Sequence, residues 1–512
     1  MNGADTLIET AVRAGVEVCF ANPGTTEMHL VAALDRAPRM RAVLGLFEGV
    51  CTGAADGYGR MTGRPAATLL HLGPGFANGI ANLHNARRAR TPVVNWVGDQ
   101  ASWHRAADAP LTSDIESLAQ PVGWVRTNAG AATLARDGAD AIAAAQDAPG
   151  RVATLVVPAD AAWDDAAGAA TPGVPKPPAA VGETTIAEAA DVLGRAGAVL
   201  LLGGVAALSE AGVRAAHRIA SGTGCRVLSE TFSSRLELGA DLPVAPPLPY
   251  FPEQAIDALD DATQVVLAGA RDPVAFFGYA GQPSRLLRDD QPVATLAAPA
   301  DDALGALEAL AAQVGTDGRV VPRPEAAPAT GPLTVGCLGQ TLAALLPDGA
   351  IVVNEAATTG LAFNAFAPGA ARHTSLGLTG GAIGQGLPCA VGAAIACPDR
   401  PVTAFQADGS GLYTVQALWT MARESLDVTV VVCANRAYRI LQAELARAGI
   451  AEPGPKARAL TDLAHPIVDW VALAKGFGVP GVSVHDTEGF AAAYRRALAE
   501  PGPQLIEAVL QG

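Results

Sequence analysis

The 512-residue chain holds no stretch of eighteen apolar residues, so nothing in it is long enough to cross a bilayer as a helix. Its opening, Met1-Asn2-Gly3-Ala4-Asp5, lacks the charged-then-apolar order of a secretion signal. Positive charge is short as well: 35 Lys and Arg stand against 50 Asp and Glu, a formal balance of −15. That excess of acid argues against nucleic acid or an anionic membrane as the partner. An anionic cofactor would have to be held by a metal and by backbone dipoles, not by a basic cleft. Close-spaced cysteine pairs are missing too. The seven cysteines (19, 51, 225, 337, 389, 397 and 433) lie mostly inside apolar runs, as small core residues of a reducing compartment do, and the cytoplasm is expected.

What the chain has is core. Half of its residues are apolar and 17% are charged, enough at this length for two to four domains. Helix and strand alternate from the start: a helix over 4–14, a strand over 16–20, the turn Asn22-Pro23-Gly24-Thr25-Thr26-Glu27, then a strand over 42–46. A small-residue helix follows over 50–61, a strand over 66–70, a loop at Gly73-Pro74-Gly75, a helix over 77–89 and a strand over 92–97. Ala, Gly and Pro dominate 165–182, which reads as a linker. A second alternating segment, with helices over 185–196 and 210–221 and strands over 198–202, 226–228 and 265–267, ends at another Pro/Ala-rich linker over 322–332. The expectation is three α/β domains, 1–165, 183–315 and 333–512, each a doubly wound parallel sheet.

The third segment carries the densest chemistry. Residues 402–406 read as a strand, 412–423 as a helix, and 428–433 as a β-branched strand buried on both faces. Asp408 and Asn435 therefore fall at the carboxyl ends of parallel strands, the edge where open α/β sheets bind ligands. A carboxylate and an amide oxygen make a hard site suited to Mg²⁺, which completes its shell with phosphate oxygens and water. Gly409 admits close backbone approach, and the helix start beyond it offers free N–H groups to a phosphate. Taken singly, Asp408-Gly409 is equally a turn and Asn435 equally a cap. Together they point to a magnesium diphosphate.

Ala407-Asp408-Gly409-Ser410, the helix, the valine-rich strand and Asn435 resemble the thiamine-diphosphate signature, with Ala407 where a glycine is usual. Residues 410–420 are similar to benzoylformate decarboxylase in their wording. Nearly the whole chain resembles the pyruvate oxidase and decarboxylase group, which includes the acetolactate synthase catalytic subunit. The turn 22–27 carries this likeness, with Phe47-Glu48-Gly49, Ala54-Ala55-Asp56-Gly57-Tyr58, Gly73-Pro74-Gly75 with Asn78, and the glycine-rich 380–388. The resemblance implies a pyrimidine-binding first domain, a middle domain and a diphosphate-binding third domain. It implies thiamine diphosphate and Mg²⁺ as cofactors, a small 2-oxo acid as substrate, and a homodimer or homotetramer with the active site between chains. Asp408, Asn435 and the backbone carbonyl of Ala437 would be the metal ligands. Ile383 would lie beneath the cofactor, and Glu48 would hydrogen-bond its aminopyrimidine ring. Gly409 and Ser410 would meet diphosphate oxygens, and the hydroxyl of Thr358, after Asn354-Glu355, suits them too, although a turn reads nearly as well there.

Glu48, at a strand-to-helix junction, is by itself either an acid able to exchange a proton with a heterocycle or a residue capping a helix start. His71 ends an apolar strand, a common place for a structural histidine. Leu70-His71 nevertheless resembles the pair in benzoylformate decarboxylase whose histidine is an active-site acid/base, a residue acetolactate synthases generally lack. Thr25 would take the place of that enzyme's active-site serine, and His104 lies on a loop after Gly98-Asp99-Gln100. The chain also departs from its relatives. Phe277 and Gly278 stand where the decarboxylase has a second histidine, and Leu441 where pyruvate decarboxylase has a glutamate. Leu441, Gln442 and Glu444 are expected at the substrate pocket, and decarboxylation and ligation both stay open. A flavin or nicotinamide oxidoreductase would need Gly73–Gly79 or Gly203-Gly204 as its phosphate loop; neither spells Gly-x-Gly-x-x-Gly after a strand, and FAD is not expected. A non-catalytic homologue is opposed by the presence of Glu48, Asp408 and Asn435 together.

Overall fold

The computed structural model describes residues 1–318 and 326–511. The first part of the expected second linker, 322–325, lies outside the described residues. The chain forms two compact units, one of Met1–Lys176, Ala326–Ala367 and Gly380–Gly512, the other of Pro177–Glu325 and Pro368–Thr379.

The first unit contains two parallel sheets. In the N-terminal one, β1 (Val18–Asn22), β2 (Arg41–Leu44), β3 (Ala66–His71), β4 (Val93–Asp99), β5 (Trp124–Thr127) and β6 (Val152–Pro158) pair in the order β2-β1-β3-β4-β6-β5. Strands β4 and β6 are buried along their whole length, which is why they are mostly apolar on both faces with no alternation, the few polar residues being paired, as Asn95 is with Thr68 and Thr154. Trp96, Leu69 and Leu155 pack there with Leu7 and Ile8 from the helix Gly3–Arg13. Each such side chain contributes about 1.5–3 kcal/mol on burial.

The second unit holds β7 (Ala198–Leu202), β8 (Arg226–Ser229), β9 (Leu236–Leu238), β10 (Gln264–Ala268) and β11 (Val293–Ala297); four of these form the parallel sheet β11-β10-β7-β8. In the C-terminal part of the chain come β12 (Ala350–Glu355), β13 (His373–Gly377), β14 (Val402–Ala407), β15 (Val428–Ala434), β16 (Gly481–Val484) and β17 (Gln504–Val509). Strand β13 belongs to the second unit and runs antiparallel to β9. The others make the parallel run β16-β17-β15-β14-β12 of the first unit. Three parallel-sheet α/β layers, as expected, make up the fold. No helix among the described residues is long and apolar enough to cross a membrane.

Two elements differ from their sequence reading, both at the site. The helix expected over 77–89 runs Leu72–Ala89 and absorbs Gly73-Pro74-Gly75, because a proline in the first turn gives up an N–H that has no intrahelical partner anyway. The helix expected over 412–423 is broken into Asp408–Gly411 and Ala417–Arg423. Between them the Thr414 hydroxyl donates to the Gly384 carbonyl at 2.8 Å, an anchor outside the helix that periodicity does not reveal.

Candidate active site

Strands β1 and β3 are neighbours, but the sheet grows from them in opposite directions, so a crevice opens at their carboxyl ends. Beyond β1 the chain turns into the short 3₁₀ helix Thr25–Glu27; β3 ends on His71. The half-buried His71 places Nδ1 2.8 Å from Oε2 of Glu27, a residue with no exposed surface. Glu27 also accepts the Gly24 N–H at 2.6 Å and the Thr26 hydroxyl at 2.5 Å. Next along the chain, the buried Leu72 has φ 49, a left-handed conformation that leucine adopts only under constraint. Glu48 opens the helix Glu48–Thr62, where an acid meets the positive end of the dipole, and its Oε2 accepts from Asn78 Nδ2 at 3.0 Å. Gly75 separates the two groups: a Cβ there would lie 3.0 Å from Glu48 Oε1 and 3.3 Å from His71 Cβ. Glu48 and His71 thus share one wall. Thr25 is exposed at the start of its 3₁₀ helix. His104 stands apart, edge-on to Trp103 at 5.5 Å, with no hydrogen bond to His71 or Glu48 among the described residues.

The second constellation sits at the carboxyl ends of β12, β14 and β15. Asp408 is buried; its Oδ1 accepts the Gly409 N–H at 2.8 Å and its Oδ2 the Arg436 N–H at 2.6 Å. Burial raises the pKa of its carboxyl, and these backbone donors only partly oppose that. Asn435 Oδ1 accepts the Ala437 N–H at 2.9 Å and keeps a second lone pair. A desolvated carboxylate beside an amide oxygen, with a backbone carbonyl two residues on, suits a hard divalent cation such as Mg²⁺. Among the described residues no group of three or more His, Cys, Asp and Glu is placed to hold a metal. Ser410 Oγ accepts from Gln406 Nε2 at 2.6 Å. Thr358 is half-buried on the helix Ala357–Phe366, whose first residue is also left-handed at φ 49. Left-handed residues thus follow His71 and Asn435 directly (Leu72 and Arg436, φ 56) and precede Thr358 directly.

Glu355, at the end of β12, is a residue the sequence reading passed over. Its buried carboxylate accepts the N–H groups of Gly384 at 2.7 Å, Gln385 at 3.1 Å and Gly386 at 2.7 Å, and Gln406 Nε2 at 2.9 Å. Burial raises its pKa against those four donors. It thereby shapes the glycine-rich segment that presents the half-buried Ile383. An acid ending an apolar strand was the available signal. Asn82 ties this segment to the start of the Glu48 helix, donating to the Gly49 carbonyl at 2.8 Å and the Gly384 carbonyl at 3.3 Å. Leu441, Gln442 and Glu444 lie on Arg439–Arg447, a helix with no buried residue. Leu441 is exposed, Gln442 donates to Thr461 Oγ1 at 3.3 Å, and Glu444 pairs with Arg447 at 3.9 Å.

No hydrogen bond or ion pair among the described residues joins Glu48 or His71 to Asp408 or Asn435. The chain builds two half-sites: an acid with an imidazole on the N-terminal sheet, and an oxygen donor set on the C-terminal one, where the expected free N–H of Gly409 is instead taken by Asp408 Oδ1.

Residues 1–118 match the family model of the thiamine pyrophosphate enzyme N-terminal TPP binding domain, and 359–508 that of the C-terminal TPP binding domain. A protein of Mycobacterium tuberculosis named "Putative acetolactate synthase large subunit IlvX" is 52% identical over all of this chain and 99% of its own length. Benzoylformate decarboxylase of Pseudomonas aeruginosa is 30% identical, over 98% of this chain and 97% of its own. Among solved structures, the thiamine diphosphate-dependent 4-hydroxybenzoylformate decarboxylase of Rhodococcus jostii RHA1 superposes with a TM-score of 0.86 at 25% identity, covering 100% of this chain and 99% of its own.

Proposed function

The chain belongs to the thiamine pyrophosphate enzyme family, and on that premise we propose that it breaks or forms the carbon–carbon bond beside the carbonyl of a small 2-oxo acid, using thiamine diphosphate and Mg²⁺. The observation that carries this reading is the imidazole of His71 on the same wall as the carboxyl of Glu48. Asp408, Asn435 and the backbone carbonyl of Ala437 would hold the metal, with Gly409, Ser410 and Thr358 around the diphosphate. Ile383 would stand beneath the cofactor. Bound there, thiamine diphosphate supplies an electron sink for the carbon next to the substrate carbonyl. The protein's own residues orient the reactants and move protons. Glu48, its carboxyl steadied by Asn78, exchanges a proton with the pyrimidine ring. His71 Nε2 has no protein partner among the described residues; the protonated ring donates from it to the substrate's 2-oxo oxygen and passes a proton there, and the neutral ring takes a proton back at the same nitrogen. Thr25 lies beside that imidazole's turn, and Leu441, Gln442 and Glu444 line the approach; His104 is left for the pocket's outer loop.

We assign the pyrimidine-binding role to 1–165 and the diphosphate-binding role to 333–512, with 183–315 as the middle domain. Each chain carries one of each half-site, and we assign their pairing to two copies in a homodimer or homotetramer, as in the family. The imidazole at 71 favours decarboxylation, and the name carried by the 52% relative favours ligation. A panel of small 2-oxo acids, assayed with and without added aldehyde, separates the two by product: aldehyde in one case, ketol in the other. Failure of the cofactor-loaded protein to turn over any 2-oxo acid would contradict the proposal.

A further inference from the structure

We propose that Glu27 is a positioning residue for His71, keeping hydrogen on Nδ1 in both the neutral and the charged ring, so that Nε2 is the nitrogen that exchanges a proton with the substrate oxygen. The inference rests on the reading of His71 as the group that works on substrate. Its warrant is the hydrogen-bond arithmetic of one buried carboxylate. Ionised Glu27 has acceptors only. Oε1 takes the Thr26 hydroxyl and Oε2 takes the Gly24 N–H, so Nδ1, 2.8 Å from Oε2, is the atom that must bring a hydrogen. Thr26 Oγ1 lies 3.4 Å from Nδ1, but its hydrogen is committed to Glu27. No Arg or Lys among the described residues pairs with Glu27, so the one cation it can meet is the imidazolium that forms when His71 takes a proton.

The surroundings are cut to admit this pair. A Cβ at Gly98 would stand 1.7 Å from Glu27 Oε1, and a Cβ at Gly24 would stand 2.3 Å from His71 Nδ1. The left-handed Leu72 fixes the backbone just beyond the imidazole. An acid that sets the tautomer of a working histidine through its far nitrogen is a general device, and losing it leaves the imidazole in place with the wrong nitrogen protonated.

The test uses the full-length protein labelled with ¹³C and ¹⁵N at histidine, near pH 8, with His71 assigned by its disappearance in His71→Gln. The ring carbon and nitrogen shifts of the parent should report hydrogen on Nδ1. Glu27→Ala should move His71 to the Nε2–H form and lower turnover at least about a hundredfold. Glu27→Gln keeps an acceptor oxygen where the Gly24 N–H demands one. It should retain the Nδ1–H signal and turnover within about tenfold of the parent. An Nε2–H signal in the parent overturns the proposal whether or not any variant folds. So does a folded Glu27→Ala with turnover within about threefold, or a Glu27→Gln that falls as far as Glu27→Ala. His71→Gln with full turnover would remove His71 from the reaction and the proposal with it, and the parent's Nδ1–H signal tells that failure from a failure of Glu27 alone.

Discussion

Two histidines of this chain sit in opposite situations. His71 keeps a fifth of its side chain exposed and leaves Nε2 open, whereas His373 is buried in the second unit with Nδ1 donating to the Ala371 carbonyl at 2.8 Å. His71→Ala should lower turnover about a hundred- to ten-thousandfold while affinity for thiamine diphosphate holds. Melting temperature and turnover on one preparation decide it: a melting shift with turnover changed less than about threefold would make His71 scaffolding. For His373, burial lowers the pKa, so the folded state stays neutral where the unfolded chain takes a proton, below about pH 6.5. More protons bound in the unfolded state means stability falls as pH drops through that window. His373→Gln should flatten this slope between about pH 6.5 and 5 in urea titrations, and an unchanged slope would clear His373. Legibility at this scale follows whether a role is local. Asp408 and Asn435 stand just past strand ends and Glu48 at a helix start, positions that pattern marks out, while the roles proposed for them come from the family resemblance. Glu27 and Glu355 act on atoms 44 and about 30 residues away; a place at the end of an apolar strand marks Glu355, but neither neighbourhood names the distant partner.

Among the elements, the helix Glu48–Thr62 bears the greatest load. Asp56 and Arg60, one turn apart, form a buried ion pair at 2.6 Å, and Thr91 donates to the same carboxylate at 2.6 Å. Arg60 Nη2 reaches Gln385 at 3.3 Å, so the pair also braces the glycine-rich segment. Removing one member of such a pair strands the other charge in the core. Asp56→Ala should therefore lose about 3–5 kcal/mol in denaturant unfolding, and a loss under about 1 kcal/mol would show that the pair contributes little. This helix was legible from its small residues and from the acid at its start. The break at 412–416 was not, because Leu412, Val415 and Leu418 keep helical spacing while Thr414 is held by a carbonyl thirty residues earlier.

For the whole molecule, alternation of apolar runs with helical patterns made the three parallel sheets readable, since buried parallel strands have little freedom in composition. The proposed pairing of half-sites across chains comes from the family resemblance alone, for a single chain's pattern says nothing of its neighbour. The completed site should need two chains: mass photometry at nanomolar concentration should show a dimer or larger, and an active monomer would contradict that arrangement. In the proposed site Asp408 and Asn435 hold the diphosphate end of thiamine diphosphate through Mg²⁺. Calorimetric titration of thiamine diphosphate into the metal-stripped protein, with and without Mg²⁺, tests it most directly. One cofactor should bind per chain, only when Mg²⁺ is present, and Asp408→Ala should show no metal-dependent binding. Equal affinity in the parent and in Asp408→Ala would contradict it.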